Sequence, residues 1–180
     1  MPTYSFEGEE HAALREQIRR FAASEIAPNA NSWSEAQEFP RDLYERAARA
    51  GLLGVSFPEE VGGAGGDLSH VLVAAEEMVM AGHSVGTSAG LATHLIALPP
   101  ILALGSPEQV QRFVPPVLAG QKISALAITE PGGGSDVAAL TTKARREGDN
   151  YIVNGAKTFI TSGCRADFVT TAVRTGGDGH

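Results

Sequence analysis

The chain has 180 residues, of which 43% are hydrophobic and 19% are charged, and its formal net charge is −7 at pH 7. This composition predicts a soluble globular protein with enough apolar material for a sizeable core. The negative charge argues against a general nucleic-acid surface and against an anionic membrane surface, but it leaves room for a small cationic pocket. The single cysteine, Cys164, excludes an internal disulfide framework and favours a reducing compartment.

The first ten residues, Met1–Glu10, contain neither the basic flank nor the apolar run of a secretory signal peptide. We therefore expect a cytoplasmic protein. A mitochondrial enzyme whose transit peptide had been removed would have a similar start, and this alternative stays open.

Apolar residues at helical spacing predict three amphipathic helices, at residues 9–26, 41–50 and 68–80. Pro28 is expected to stop the first helix. The predicted apolar face of the third comprises Leu68, Val71, Leu72, Ala75, Met78 and Val79. Glu76 and Glu77 lie on its other side. Because adjacent residues on a helix diverge by about 100°, a solvated face is favoured over paired-carboxylate chemistry.

The glycine-rich run Gly62–Gly66 lacks the spacing of a dinucleotide-binding fingerprint, so a connecting turn is favoured over a phosphate site. The apolar stretch Val85–Leu104 has the length of a membrane span, but it contains Pro99-Pro100 and has no basic flank. We predict instead a buried helix broken at the prolines. His94 within it is interpreted as a core histidine and not as a ligand.

Ser106 is predicted to cap a further helix, because a proline follows it and a glutamine stands three residues after it. We expect this helix to end before Pro115-Pro116. The sequence thus predicts a helical domain at residues 1–122 and a second domain at residues 123–180.

The second domain begins with Ile123–Ile128, an apolar run with the length and branching of a buried strand. The run ends in a polar turn, Thr129–Asp136, which contains three consecutive glycines. Glycine allows backbone N–H groups to face an anion or a ring edge, and Ser135 adds a hydroxyl. A strand that ends in such a turn indicates a binding site.

Further β elements are predicted after this turn. They are a strand at 140–146, a turn at 148–150, a strand at 151–153, a hairpin turn at Asn154-Gly155, and strands at 157–161 and 167–174. A hairpin of this length would bring Phe159 and Thr161 beside Thr129. A flat apolar ring, two hydroxyls and the glycines would then surround one space.

Two linked motifs carry the strongest signal. They are Thr129–Asp136, which reads TEPGGGSD, and Asn154–Gly163, which reads NGAKTFITSG. Together they closely resemble the flavin-binding signature of the acyl-CoA dehydrogenases, and the helical region upstream resembles the amino-terminal domain of that family. The resemblance extends over essentially the whole chain, although the chain corresponds only to the first half of a family member.

The resemblance implies an α+β fold, in which an amino-terminal all-α domain precedes a truncated antiparallel β domain. The carboxy-terminal helical domain of the family is absent from the sequence. The final segment, Thr175–His180, has a loop composition, so we expect the β domain to be cut off there. An edge strand left open in this way would invite association or disorder.

The implied activity is dehydrogenation of an acyl-CoA thioester to a trans-2-enoyl-CoA. This reaction needs a base for the α-proton, a polarised carbonyl and an acceptor for the β-hydride, which no side chain provides. The resemblance implies FAD as that acceptor and an electron-transfer flavoprotein as its oxidant. It also implies a homotetramer that functions in lipid metabolism, without nucleic acid, metal or a membrane span.

By the same resemblance, the backbone before Thr129 borders the isoalloxazine ring and the Thr129 hydroxyl binds its pyrimidine edge. Phe159, where many relatives have tryptophan, packs against the ring system, and Thr161 binds near N5. The implied flavin contacts are Leu126, Ala127, Ile128, Thr129, Gly134, Ser135, Phe159, Ile160 and Thr161. Ser135 is also the implied substrate contact.

Glu130 is a tempting catalytic base, but the base of the family lies in the carboxy-terminal domain. We assign Glu130 and Asp136 to structuring the turn through backbone N–H groups, and we predict no catalytic residue in this chain. Lys143 and Arg145 occupy alternate strand positions. We interpret them as a solvated face and not as a site for CoA phosphates.

Other functions stay open at this point. Acyl-CoA oxidases and some flavin monooxygenases share the fold and the motifs, and the amino-terminal half does not separate them. A non-catalytic fragment, or a subunit whose partner supplies the missing domain and the base, also fits the sequence.

Overall fold

The computed structural model describes residues 4–176. The helices are α1 (Glu9–Phe21), α2 (Ala30–Ala36), α3 (Leu43–Arg49), α4 (Leu68–Gly82), α5 (Val85–Leu91), α6 (His94–Ala97), α7 (Pro99–Leu104) and α8 (Pro107–Leu118). The strands are β1 (Ser124–Ala127), β2 (Lys143–Glu147), β3 (Asn150–Asn154) and β4 (Phe168–Thr171). Met1–Glu10, where no secretory signal is expected, and Thr175–His180, where a loop is expected, both lie partly outside the described residues.

The main core lies where α1 and α3 pack with α4. Ile18 of α1 and Leu43 of α3 are fully buried, and Met78 of α4 is 3% exposed. Full burial of a side chain of this size contributes about 1.5–3 kcal/mol to stability. The amphipathic helices predicted from the apolar spacing therefore form and bury a shared core.

The first helix does not stop at Pro28, so that prediction was wrong. After α1 the chain makes a π-helical turn, Ala22–Ile26, and a 3-10 turn, Ala27–Asn29, and then continues as α2. Pro28 lies in the first turn of the 3-10 segment, where its missing N–H costs no helical hydrogen bond. Ile26 is fully buried, so packing against the core keeps this segment helical.

The buried face of α4 also differs from the prediction. Leu68 and Leu72, assigned to the apolar face, are 80% and 46% exposed. Glu77, assigned to a solvated face, is 1% exposed. It accepts hydrogen bonds of 3.0 Å from Arg15 and from Arg19 of α1.

Arg15 of α1 forms salt bridges with three carboxylates where α1 packs against α4. It pairs with Glu7 at 2.7 Å, with Glu76 at 2.8 Å and with Glu77 at 3.0 Å. Burial alone would raise the pKa of Glu77, but the hydrogen bonds from Arg19 and Arg15 outweigh burial and lower it. Glu77 is therefore an ionised carboxylate inside the helical core, stabilised by two guanidinium groups.

The apolar stretch Val85–Leu104 forms three short helices, α5, α6 and α7. Among residues 4–176, this stretch is the one candidate whose length and apolar character would allow it to cross a membrane. Its mean hydropathy is 1.5, and 39% of it is buried. A core segment of a soluble protein passes the same test, so this is weak evidence for a span. The break before Pro99 agrees with the prediction, whereas the break at Ala92-Thr93 was not predicted.

His94 lies in the core, as expected. It is 4% exposed, and its Nδ1 lies 3.0 Å from the Leu91 carbonyl oxygen, which accepts the ring proton. Burial lowers the pKa of His94 to about 4, although the carbonyls of Leu91 and Leu53 favour protonation. The imidazole is therefore neutral at pH 7.

Acid is expected to destabilise the protein through His94. The unfolded chain binds a proton near pH 6.5 whereas the folded protein does so near pH 4, so stability rises with pH across this window and is lost as the pH falls. The unfolding free energy should drop by about 2 kcal/mol between pH 7 and pH 5. Urea unfolding at both pH values should show a smaller drop in His94→Gln.

The control for this pH experiment is His83→Asn. His83 is exposed and has a φ of 53°, a left-handed value that asparagine tolerates. The control should keep the pH dependence of the wild type. An equal drop in wild type and His94→Gln would contradict the assignment.

The last helix, α8, begins as predicted and ends later than predicted. The Ser106 hydroxyl accepts from the Gln109 N–H at 3.3 Å, and the Gln109 side chain accepts from the Ser106 N–H at 2.8 Å. The helix then runs through Pro115-Pro116 to Leu118. Leu118 is buried in a second core cluster, and this packing outweighs the missing proline N–H groups in the final turns.

β1 and β4 pair in parallel, and β2 and β3 form an antiparallel hairpin. The hairpin turns at Gly148-Asp149, as predicted, with Gly148 at a φ of 60°. Asn154-Gly155 ends β3 and makes no hairpin, and residues 157–161 form no strand, so both of those predictions were wrong. A helical amino-terminal region followed by a small β region confirms the fold class, although the parallel pairing of β1 with β4 departs from the antiparallel domain that was expected.

Candidate functional site

The end of β1 enters the glycine turn, which is closed by two backbone hydrogen bonds. The N–H of Glu130 donates to the Gly133 carbonyl and the N–H of Gly133 donates to the Glu130 carbonyl, both at 3.0 Å. Gly134 then lies against Thr129, where an added Cβ would be 3.0 Å from the Thr129 hydroxyl oxygen. A side chain at position 134 would therefore push the Thr129 side chain by a few tenths of an ångström.

Glu130 is buried beside this turn and accepts four hydrogen bonds from two adjacent threonines. Its Oε2 accepts from the N–H and hydroxyl of Thr141 at 2.7 and 2.6 Å. Its Oε1 accepts from the N–H and hydroxyl of Thr142 at 2.8 and 2.5 Å. These bonds, led by the two hydroxyls, hold the pKa of Glu130 well below its usual range. An ionised carboxylate engaged in this way is suited to structuring the turn and unsuited to act as a base.

Lys157 and Thr158 connect the second motif to the first. The Lys157 ammonium donates to the Ile128 carbonyl at 2.8 Å and to Glu130 Oε1 at 3.0 Å. The backbone N–H of Thr158 donates to the Thr129 carbonyl at 2.9 Å. The structure therefore brings the two motifs together through Lys157 and Thr158, without the predicted hairpin at Asn154-Gly155.

Phe159 follows directly and is 90% exposed. Its φ of 55° is left-handed, which costs about 1–2 kcal/mol for a non-glycine residue. Strain of this kind persists where the surrounding contacts fix the backbone, and it is often associated with function. The exposed flat ring, one residue from the contact with Thr129, can stack on a planar ligand.

The remaining predicted contacts lie around this junction at different depths. Ala127 is buried; Leu126, Ile128, Thr129, Gly134 and Ile160 are half-buried; Ser135, Phe159 and Thr161 are exposed. Asp136, assigned to the turn, is exposed and its side chain does not cap the helical turn that follows. The role assigned to Asp136 within the glycine turn stays a prediction.

An apolar cavity of about 250 Å³ lies between α4 and the segment α5–α6. Its wall includes Leu53, Val55, Val71, Met78, Leu91 and Leu95. Helix α5 lies between this cavity and the second motif. Its Leu91 lines the cavity, and its Gly90 carbonyl oxygen lies 3.5 Å from the Ser162 hydroxyl. An apolar cavity of this kind could bury an aliphatic chain.

Glu10, His11 and His70 place potential metal ligands within 4.8 Å of one another. Both ring nitrogens of His11 are already engaged: Nδ1 accepts from the Gly8 N–H at 3.1 Å and Nε2 lies 2.8 Å from the Ser69 hydroxyl. The two imidazoles stack with centroids 4.2 Å apart, so their in-plane lone pairs run side by side. Capping at the starts of α1 and α4 accounts for this cluster.

Sequence reasoning assigns no role to Thr141, Thr142 or Lys157, although all three contact Glu130. One signal was available, because a buried carboxylate requires several donors. Two adjacent threonines before a strand and a lysine inside the second motif are suitable donors. Which carboxylate they serve depends on contacts distant in sequence.

Family models match nearly the whole chain. One, described as acyl-CoA dehydrogenase, N-terminal domain, matches residues 8–121, and another, described as the middle domain, matches residues 125–180. The chain belongs to the acyl-CoA dehydrogenase family. The second match includes both motifs, so the family resemblance identified in the sequence is confirmed.

Individual relatives agree with this assignment. A probable acyl-CoA dehydrogenase from Mycobacterium abscessus is 55% identical with a TM-score of 0.93, over 96% of this chain and 46% of that one. The mouse mitochondrial long-chain specific acyl-CoA dehydrogenase is 41% identical over 89% of this chain and 37% of its own length. A glutaryl-CoA dehydrogenase from Mycobacterium smegmatis, solved with FADH2, is 28% identical with a TM-score of 0.84, over 94% of this chain and 43% of that one. The chain thus spans less than half the length of each.

Proposed function

We propose that this chain supplies part of the FAD and substrate site of an acyl-CoA dehydrogenase that converts an acyl-CoA thioester to a trans-2-enoyl-CoA. The observation that carries the proposal is the junction of the two motifs, where Lys157 donates to the Ile128 carbonyl and the Glu130 carboxylate and the Thr158 N–H donates to the Thr129 carbonyl. Bound flavin would supply the acceptor for the β-hydride. The chain's own residues would bind and orient the flavin and the acyl group.

The residues at the junction fit a flavin. Gly134 keeps the space beside the Thr129 hydroxyl free of side-chain atoms, and Phe159 offers an exposed flat ring. Ser135 adds an exposed hydroxyl next to the glycines. We assign the flavin contacts to Leu126, Ala127, Ile128, Thr129, Gly134, Ser135, Phe159, Ile160 and Thr161, with Ser135 also facing the substrate.

The apolar cavity supports a fatty acyl group as the substrate tail. Its wall is almost entirely aliphatic, and each methylene buried there contributes about 0.8 kcal/mol. The cavity and the second motif lie on opposite sides of α5. We therefore propose that the tail of an acyl-CoA lies in the cavity while its reacting carbons lie beside the motifs. We propose acyl-CoA as the substrate and leave the chain length to measurement.

The α-proton requires a base, and Glu130 is engaged by Thr141, Thr142 and Lys157. We propose that the base comes from polypeptide beyond this chain. The same polypeptide would cover apolar side chains that are exposed here, such as Leu104, which is 87% exposed. From the family match we also propose a cytoplasmic, homo-oligomeric enzyme that passes electrons to an electron-transfer flavoprotein.

Flavin binding is tested by titrating FAD with the purified 180-residue chain and following flavin fluorescence anisotropy. We expect saturable binding, weakened about tenfold in Thr129→Val, because one hydrogen bond to the flavin is lost at equal side-chain volume. The matched control is Thr171→Val, an exposed threonine on β4, which should bind FAD like the wild type. Absence of saturable binding to the wild type would refute the half-site.

The reaction is tested by adding the missing helical half as a second chain and mixing the flavin complex with acyl-CoA without oxygen. Bleaching of the visible flavin band supports dehydrogenation. Rapid recolouring in air with formation of hydrogen peroxide would indicate an oxidase. A bound flavin that no acyl-CoA bleaches would favour the non-catalytic subunit.

A further inference from the structure

Lys157 is a nearly buried cation between the two motifs. Its side chain is 10% exposed and that of Glu130 is 7% exposed. Lysine is rarely buried unless it is paired, and its hydrogen-bond partners are Glu130 in the first motif and Ile128 directly before that motif. The contacts to Ile128 and Glu130 span 29 and 27 residues of sequence.

The carboxylate that receives Lys157 is fixed independently of it. Thr141 and Thr142 hold Glu130 with four hydrogen bonds of 2.5–2.8 Å. Thr142 directly precedes β2, so the carboxylate is anchored to the β2–β3 hairpin. We call Glu130, Thr141, Thr142 and Lys157 the lysine clamp.

The contacts of Lys157 and Thr158 involve Thr129 and both of its neighbours in the chain. Lys157 binds the carbonyl of Ile128 before it and the carboxylate of Glu130 after it, while Thr158 binds the carbonyl of Thr129 itself. Two consecutive residues of one segment thus engage three consecutive residues of the other. This pattern fixes how far Thr158 to Thr161 can slide along the end of β1.

We propose that Lys157 is a positioning residue, which sets the register of the Thr158–Thr161 segment against Thr129 and thereby places the flavin-contacting side chains of both motifs. The proposal rests on the proposed function, since flavin is the ligand being positioned. Both the charge and the reach of lysine are needed, because the partner carboxylate is buried and ionised. Loss of the ammonium should loosen this segment and leave the helical core intact.

The first test measures amide hydrogen exchange in the 180-residue chain without flavin. Lys157→Met removes the charge and both hydrogen bonds at similar length, and Lys157→Arg restores them. Lys143→Met, at an exposed lysine on β2, is the matched control. We expect exchange at the Thr158 amide to rise about tenfold in Lys157→Met alone. Unchanged exchange at Thr158, or an equal rise at Ile18 in the core, would overturn the proposal.

The second test measures FAD affinity in the same variants by fluorescence anisotropy. Lys157→Met should bind FAD about tenfold more weakly, with recovery in Lys157→Arg and no change in Lys143→Met. Equal affinity in Lys157→Met and wild type would overturn the positioning of flavin. If exchange at Thr158 rises in Lys157→Met but the wild-type chain binds no FAD, the clamp is upheld and the proposed function is refuted.

Discussion

Replacing Glu77 with glutamine is expected to lower the unfolding free energy by about 3 kcal/mol. Removing one partner from a buried ion pair typically costs about 3–5 kcal/mol, and we expect the lower end because Arg15 keeps its pairs with Glu7 and Glu76. Glutamine keeps the volume of the side chain, so the loss would report the charge and not a cavity. Urea unfolding at pH 7 measures it, and an unchanged m-value would show that the folded state is retained.

The matched control is Glu76→Gln on the same helix. The Glu76 side chain is 23% exposed and pairs with Arg15 at 2.8 Å, so its loss should cost about 1 kcal/mol. High salt should leave the effect of Glu77→Gln nearly unchanged, because buried pairs are screened much less than exposed ones. Equal unfolding free energies for Glu77→Gln and the wild type would contradict a stabilising network.

Much of the fold follows from local signals in the sequence. The capping box of α8 depends on residues three apart, and the β1 strand depends on one apolar run, so both were found at the right place. The turn at Gly148-Asp149 is equally local, because glycine there takes a φ of 60°. The two motifs identify the family because each is a continuous stretch of the chain.

The errors come from contacts between residues far apart in sequence. Glu77 looks solvated because its own helix has apolar residues elsewhere, yet its partner Arg15 lies 62 residues earlier. Periodicity detects the helix, but it does not detect a charged residue on a facing helix. The same reason applies to Pro115-Pro116, since burial of Leu118 keeps the helix intact beyond them.

In the candidate site, too, the local motifs could be predicted from the sequence, whereas the contacts between distant residues could not. Thr129, Gly134 and Phe159 stand out in the motifs, but the clamp that joins the motifs depends on Lys157 and Thr142, which contact Glu130 across the fold. The signal at Asn154-Gly155 is usually a hairpin turn. Here the glycine serves close packing, because its missing side chain lets the end of β3 approach Thr142.

Replacing Gly155 with alanine is therefore expected to damage the candidate site. A Cβ at this position would lie 2.4 Å from the Thr142 hydroxyl oxygen and 2.6 Å from the Thr142 Cβ. Thr142 is 3% exposed and donates to Glu130, so it has little room to retreat. Forcing a methyl group into such a contact typically costs about 1–3 kcal/mol. Urea unfolding should show this loss, and FAD affinity should fall with it.

Gly148→Ala in the same hairpin separates crowding from backbone strain. Gly148 has a φ of 60° and no atom within 4 Å of an added Cβ. The only destabilisation expected from alanine there is that of its left-handed backbone conformation, about 1 kcal/mol. It should leave FAD affinity unchanged, since Gly148 lies at the turn end of the β2–β3 hairpin and Thr142 at the opposite end. If Gly155→Ala and Gly148→Ala lowered stability and FAD affinity equally, the approach of Gly155 to Thr142 would not be what holds Glu130 in place.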